Sequence, residues 1–371
     1  MRTWLRRIAA TLGVILVVAV AALALAISYD ADCQSPPVIA AAGPTMKAVM
    51  RRCYGPPDVL TLEPVARPVP NEHQLLVRVR AAAINPLDWH KLRGTPYVMR
   101  LGEGVGAPQD PRLGIDFAGV VESAGSQVTK FKPGDEIFGG RDGALAEYIL
   151  VREAGSIALK PANVSFEQAA GTYVAGLTAL QALRDRAGIK PGDKVLINGA
   201  SGGVGTYAVQ IAKYLGAEVT GVCSTRNVEL VRLLGADHVI DYRQQDFTAS
   251  AERFDVIMDN VANRPLLDVR RVLKPRGKYL AIGGGGPNEN PWFGAFRAPL
   301  KAAVIARFVD QDMAFFLSHA STDDVVTLAR LMAEGKVTTV VDRRYPLADI
   351  NAAMRYLETG RARGKVVLIV D

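Results

Sequence analysis

The chain has 371 residues, of which 22% are charged and 49% hydrophobic, and its net charge is +7. That length exceeds one small core and fits two domains plus an extension, and the composition excludes a disordered chain. The mild basicity comes without a long Lys/Arg run or a nucleic-acid motif, so no nucleic-acid partner is expected. Three scattered cysteines, Cys33, Cys53 and Cys223, offer no C-x-x-C pair and are expected to build neither a disulfide framework nor a thiolate zinc site.

The chain opens with Arg2, Arg6 and Arg7, followed by an uncharged run from Ile8 to Ile27. As a helix that run covers roughly 30 Å, the hydrocarbon thickness of a bilayer. It reads as an uncleaved N-terminal membrane anchor. The arginines and the Ala24-Leu25-Ala26 stretch also fit a cleaved signal peptide, which would leave an exported protein. The arginines belong on the cytoplasmic side and Asp30 and Asp32 on the other, which would face the body away from the cytoplasm. Residues 31–45, small and proline-bearing, read as a linker, so residues 1–45 stand apart from the body.

From Met46 to about Pro161 the pattern is one of short strands and turns. "QLLVRVRAAAIN" alternates, "LGIDFAGVVESAG" is apolar between glycines, and "FKPGDEIFGG" turns at Pro133-Gly134. This predicts a β-rich, barrel-like first domain over 46–165. From about Ser165 the pattern changes. "SFEQAAGTYVAGLTALQALRD" predicts a helix, and the strands "KVLING", "AEVTGVC", "HVIDY", "FDVIMDN" and "GKYLAIGG" alternate with the amphipathic helices "VGTYAVQIAKYLG", "NVELVRLLG" and "NRPLLDVRRVLK". Repeated βα units build a parallel, doubly wound sheet, here over 166–324. The last stretch, 325–371, reads strand, helix, strand and is expected to return to the first domain.

The main chemical signal lies in "KVLINGASGGVG". A strand runs into Ala200-Ser201-Gly202-Gly203-Val204-Gly205 and then a helix. Gly202 lets backbone approach a pyrophosphate, Gly205 permits close helix-to-strand packing, and the helix N-terminus offers N–H groups and the positive end of a dipole. A second strand ends about twenty residues on, which is the context a dinucleotide fingerprint requires. An acid at that strand end would hold both ribose hydroxyls and repel a 2′-phosphate. Ser224, Thr225 and Arg226 stand there instead, so NADP(H) is preferred over NAD(H). Tyr242, after the next strand, either covers the adenine or touches the phosphate, or is a half-buried aromatic. Cys223 reads as a packed strand residue.

The order of these segments, with "AGLTALQAL", "VLINGASGGVG", "CSTRN", "LGADHVIDY" and a "GKVVLIV" ending, resembles the medium-chain dehydrogenase/reductase superfamily over about Met46 to Asp371. It is most similar to the zinc-independent quinone oxidoreductase branch. The resemblance implies a GroES-like catalytic domain interrupted by a Rossmann domain, with the active site between them, and a homodimer. It also implies where catalytic zinc would be held in the alcohol dehydrogenases of the superfamily. Asn85 stands in place of the first cysteine, Gly114-Ile115-Asp116 in place of Gly-His-Glu, and the structural-zinc cysteines are missing. No zinc is therefore expected.

Without that Lewis acid the acceptor must already be electrophilic, as quinones and α,β-unsaturated carbonyls are. By family position Asn85, Asp88 and His90 in "INPLDWH" border nicotinamide and substrate, although Asp88 could instead cap a helix near Trp89 and His90 lie on the surface. Asp259-Asn260-Val261 and Ile282-Gly283-Gly284 follow strands at the cofactor end of the sheet. Lys365 either reaches the cofactor phosphates or is solvated. The expected activity is an NADPH-dependent reductase of quinones or enones. The alternatives are an NADPH-binding structural or sensing protein of the same superfamily and an alcohol dehydrogenase.

Overall fold

The computed structural model describes residues 2–33, 43–284, 286–287, 289–294 and 297–370. It opens with α1 (Arg2–Ser28), in which Ala10–Ser28 has a mean hydropathy of 2.8 and is long and apolar enough to cross a membrane. The antiparallel pair β1 (Thr45–Arg51) and β2 (Leu60–Ala66) follows. Next come β3 (Gln74–Ile84), α2 (Pro86–Arg93), α3 (Arg100–Glu103), β4 (Asp116–Ala124), β5 (Glu136–Gly140), β6 (Tyr148–Arg152) and β7 (Ile157–Leu159). α2 begins where Pro86 fixes the first helical φ and ends where Gly94 takes a left-handed conformation (φ 58°).

α4 (Phe166–Ala170) and α5 (Tyr173–Leu180) lead into the second sheet, α5 running on as a π-helical stretch to Ala187. The expected single helix breaks at Gly171-Thr172, because Gly171 packs so closely on Thr339 and Lys365 that a Cβ would clash. The second sheet is built from β8 (Lys194–Asn198), α6 (Gly203–Tyr214), β9 (Glu218–Cys223), α7 (Val228–Leu233), β10 (His238–Asp241) and β11 (Phe254–Asp259). α8 (Leu266–Arg271), β12 (Leu273–Ala281), α9 (Arg297–Ile305) and β13 (Asp312–Phe315) complete it. Its strands are all parallel, in the order β10-β9-β8-β11-β12-β13, so the order reverses beside β8 and leaves a crevice at the carboxyl ends of β8 and β11. α8 is shorter than its sequence pattern because Leu273 already pairs with Phe254 of β11.

The chain then runs through α10 (Thr322–Ala333), β14 (Val341–Pro346), α11 (Ile350–Glu358) and β15 (Lys365–Ile369). β15 joins the first sheet, antiparallel to β3 and parallel to β14, in the order β14-β15-β3-β4-β5-β7 with β6 also on β3. One core lies under this sheet, where Val79, Phe117 and Ile137 meet Ile350 and Met354 of α11. A second joins α4, α5 and α6 to one face of the parallel sheet, and a third covers the opposite face with Leu196, Ile257 and Val269.

The cysteines correct an expectation. Cys33 and Cys53 form a disulfide with their Cα atoms 4.7 Å apart, and Cys223 alone is free and buried. The pairing escaped the sequence because it depends on the chain after α1 folding back onto the body. There Ala31 N–H donates to Gly106 O (2.9 Å) and Arg100 bonds the carbonyls of Ile27 and Tyr29. The expected linker is therefore bound to the body at its start, and residues 34–42 lie outside the described residues.

Candidate active site

The glycine-rich turn connects β8 to α6. Gly199 takes φ 78°, and Gly202, the residue before α6, donates its N–H to Gly199 O (3.1 Å). A Cβ on Gly205 would overlap Gly199 O and the Ala200 backbone, so this position needs glycine for packing. A Cβ on Gly202 would meet nothing nearer than 3.5 Å, so its glycine leaves room that the protein itself does not fill. Ala200 is buried against Gly221, and Val204 is half-buried in the first turn of α6. Ser201 Oγ accepts from Asn227 Nδ2 (2.8 Å), which also donates to Ser224 Oγ (3.3 Å) and so ties the turn to the end of β9.

At that strand end Ser224 is buried while Thr225 and Arg226 are exposed. Arg226 Nη2 donates to Arg361 O (2.7 Å), which places its guanidinium beside Arg361. The Thr225 hydroxyl faces the Asp241 carboxylate and is the chief cause holding that group below the usual carboxylate range, while Arg243 N–H (3.0 Å) and Gln244 Nε2 (2.9 Å) donate to it. Asp241 was not singled out in the sequence, because it ends the neighbouring strand, β10, where it pairs in register with Cys223. Tyr242 is half exposed beside it and engages Cys223 O through its backbone N–H (3.0 Å). Burial pushes the Cys223 thiol up to about 11, in keeping with a packed strand residue.

The far end of the crevice is lined by Asn260, whose Nδ2 donates to Asn198 O (3.0 Å) while its Oδ1 is buried without a partner. A Cβ on Gly283 would come within 2.8 Å of Asn260 O, so glycine is needed where β12 ends. Asp259 anchors this corner, accepting from Asn198 Nδ2 (2.8 Å), Ala262 N–H (2.8 Å) and Tyr279 OH (3.0 Å).

A buried polar cluster forms where α2, β4 and β15 meet. Lys365 is buried. Its ammonium donates to Asn85 Oδ1 and, at 3.2 Å, to Asp116 Oδ2. It is therefore neither solvated nor aimed at phosphates, although its backbone adjoins the phosphate turn: Gly364 bridges to Gly202, and a Cβ on Gly203 would lie 3.4 Å from the Lys365 Cδ. Asp116 Oδ1 accepts from Val174 N–H (3.2 Å), and burial raises its pKa against the opposing pull of Lys365. Asp116 was quoted only as a missing zinc ligand. An aspartate within the apolar run "LGIDFAGVV" is the signal that could have found it.

Asn85, not Asp88, is the N-cap of α2. Asp88 occupies the third helical position and accepts from the Asn85 N–H at 2.7 Å. Asp88 is fully buried, and desolvation, reinforced by the nearby Asp116 charge, pushes its carboxyl up to about 7. His90 is half-buried rather than a surface residue: it stacks on Trp89, and its Nδ1 lies 2.6 Å from Thr95 O. Burial lowers its pKa, which favours neutral imidazole.

Buried polar atoms normally find partners. Here the Nδ2 of Asn85, Oδ1 of Asp88, Oδ1 of Asn227 and Oδ1 of Asn260 have none. With Arg51 Nε they are the orphaned side-chain atoms among the described residues, and these four belong to residues just after β9 (Asn227), just after β11 (Asn260) and at the start of α2 (Asn85, Asp88). Together with the space in front of Gly202, they fit an elongated ligand with hydrogen-bonding groups along its length, as a nicotinamide dinucleotide is. Among the described residues no group of three or more His, Cys, Asp or Glu side chains is placed to hold a metal.

A sheet interrupted by a parallel dinucleotide-type sheet, with a polar cluster at their junction, defines an oxidoreductase of the GroES-like plus Rossmann class. The family models for the alcohol dehydrogenase GroES-like domain and for zinc-binding dehydrogenase match residues 71–162 and 234–368. A trans-enoyl reductase of Aspergillus terreus is 35% identical over 327 residues, which cover 80% of this chain and 86% of that protein. A chloroplast envelope quinone oxidoreductase homolog of Arabidopsis thaliana is 34% identical over 346 residues, 88% of this chain and 99% of that one. The quinone oxidoreductase structure from Coxiella burnetii superposes with a TM-score of 0.77 at 30% identity, covering 88% of this chain and all (100%) of that one. The Escherichia coli quinone oxidoreductase complexed with NADPH gives 0.72 at 26% identity, with coverage of 88% and 100%. The chain belongs to the medium-chain dehydrogenase/reductase superfamily, in its quinone oxidoreductase-like branch, and is an oxidoreductase.

Proposed function

We propose that this chain is an NADPH-dependent, zinc-free reductase that delivers hydride to quinones or α,β-unsaturated carbonyls, held at a membrane by α1. The observation that carries this reading is the double contact at the start of β15: Gly364, just before the strand, bridges to Gly202 of the glycine-rich turn while Lys365 enters the Asn85–Asp116 cluster. One short strand thus connects the dinucleotide site to the group of residues that would meet substrate. The relatives named above, a trans-enoyl reductase and a quinone oxidoreductase homolog, support this substrate class.

Gly202, Gly203 and the α6 N-terminus would take the pyrophosphate, Ser224 and Arg226 the 2′-phosphate, and Asn260 and Gly283 the nicotinamide end. When bound, the reduced nicotinamide supplies a hydride. The protein residues orient and neutralise. Asn85 Nδ2 is an unspent donor for the oxygen on which negative charge develops. Asp88, with its carboxyl pushed up to about 7, can hold the balancing proton on Oδ1 near neutral pH. Lys365 supplies fixed positive charge at the site, and Asp116 holds it in place. That ammonium also argues against zinc, since a dication beside Asn85 and Asp116 would face a cation already seated there.

The test is NADPH oxidation by the purified protein with a panel of quinones and enones, run against NADH. Rates no faster with acceptor than without would sink the reading, and a preference for NADH would remove the role given to Arg226.

A further inference from the structure

Arg100 lies outside the site described above and is 1% exposed. Its Nη1 donates to Ile27 O (3.1 Å), in the last turn of α1, and to Tyr29 O (2.9 Å), just beyond it, and its Nη2 pairs with Asp30 (2.8 Å). Its Nε donates to Gly94 O (2.8 Å), which ends α2. The guanidinium is sandwiched between Tyr54 and Tyr97, 4.3 and 4.6 Å from their ring centroids. One buried cation therefore joins the carboxyl ends of two helices, α1 and the helix that carries Asn85, Asp88 and His90. A helix carboxyl end attracts a cation, α1 has no basic residue of its own in its last turn, and the aromatic faces add to the hold.

The segment around this joint is apolar and uncovered. Val98, Leu101 and Val105 are 47%, 56% and 53% exposed, and Tyr29 and Phe293 are exposed beside them. Phe293 belongs to a turn that reaches over from the second sheet, where Tyr97 N–H donates to Pro291 O (2.8 Å) and Trp292 packs edge-on against Tyr97 (5.0 Å). Clustered exposed apolar side chains on a soluble surface mark a binding face. This face surrounds the base of a helix long enough to cross a bilayer, and aromatic residues at such a base sit at headgroup level. Its occupant is thus the bilayer itself.

We propose that residues 97–106 and the 291–293 turn form a collar that dips into the membrane interface around the base of α1, so that a lipid-dissolved quinone or enone enters the site from the bilayer. The proposal rests on the reductase and anchor readings above. It adds that the substrate-side helix faces the lipid at a fixed height, because Arg100 bolts it to the anchor.

The test uses the full chain in phosphatidylcholine vesicles. In a Trp4→Phe background, lipids brominated near the headgroup end of the acyl chain should quench Trp292 emission by roughly half, the depth of an interfacial aromatic. Subtracting the Trp4→Phe/Trp292→Phe protein removes the contribution of buried Trp89. A Val98→Ser/Leu101→Ser/Val105→Ser variant should lose roughly tenfold in rate on a long-tailed quinone dissolved in the vesicles, with an unchanged rate on a short water-soluble one. Vesicle-bound protein with unquenched Trp292, or a triple variant with an undiminished rate on the long-tailed quinone, overturns the collar and leaves the anchor standing. Protein that does not float with the vesicles overturns the anchor and the collar together. Failure to reduce even the water-soluble quinone defeats the reductase reading, and quenching then still decides the collar.

Discussion

Lys365 and Asn85 lie 280 residues apart, yet the ammonium of one donates to the side-chain oxygen of the other inside the protein. Asp116 completes the contact at 3.2 Å. The end of the chain therefore supplies the positive charge of a site whose other groups come from its first third.

Replacing that charge has two expected consequences. In Lys365→Met, Asp116 is left buried without its cation, which should cost about 3–5 kcal/mol of stability. Reductase turnover should also fall. Thermal unfolding and steady-state kinetics check both. Asp116→Asn/Lys365→Met should recover part of the stability without recovering turnover, because the double variant removes the unpaired charge but does not restore the ammonium.

Gly202 and Gly205 should fail in different ways. Gly205→Ala forces a methyl group into Gly199 O and should be destabilised by several kcal/mol, roughly as overpacked sites are. Gly202→Asp meets no such clash, and aspartate is a favoured residue at a helix N-cap, so the protein should fold with an unchanged or higher Tm. Its carboxylate would occupy the phosphate space and abolish NADPH binding. Calorimetry and cofactor fluorescence separate the two outcomes.

Arg226→Ala should weaken NADPH by roughly 10- to 100-fold, the scale of one charge-assisted hydrogen bond to phosphate, and leave NADH nearly unchanged. Asp241→Asn acts in the opposite sense. It removes a negative charge beside Thr225 and should raise the NADPH preference. Titration of each variant with both cofactors is the measurement.

Asp88 should make stability fall as pH rises. Its carboxyl stands at about 7 in the folded protein against an ordinary 3.8, so the neutral form is the one that folding favours. Its contribution is fully present below about pH 4 and lost as the pH climbs through 7. Asp88→Asn should flatten the Tm profile between those limits. If Asp88 also holds the transferred proton, the alkaline decline in kcat should disappear as well, at a lower maximum rate.

The Cys33–Cys53 bond should leave Cys223 as the one thiol available to alkylation in denatured, unreduced protein, with two more after reduction. Cys53→Ser should lose about 3 kcal/mol, as expected for opening a loop of this length. Three alkylated cysteines without reductant would show that the bond does not form where the protein was made.

Much of this was legible from sequence because it depends on local order. The glycine-rich turn and the βα alternation each follow from residues within a few positions of one another. The rest depends on distant segments meeting. Asp116, Asp241 and Arg100 carried no local motif, since each acquires its role from a neighbour supplied by another strand or helix. Lys365 was noticed, but its direction was misread: its backbone does run beside the phosphate turn, and only the packing of β15 on β3 turns its side chain toward Asn85. The disulfide escaped for the same reason. A spacing of 20 residues carries no sign that the chain after α1 is pulled back onto the body.

β15 lies between β14 and β3 rather than at an edge, and Gly364 touches the phosphate turn. A chain without β15 thus has an unfilled slot in the middle of its first sheet. Removal of this one strand with Gly364 would therefore split the first sheet and strip the Gly202 turn and Asp116 of their neighbours at a single stroke.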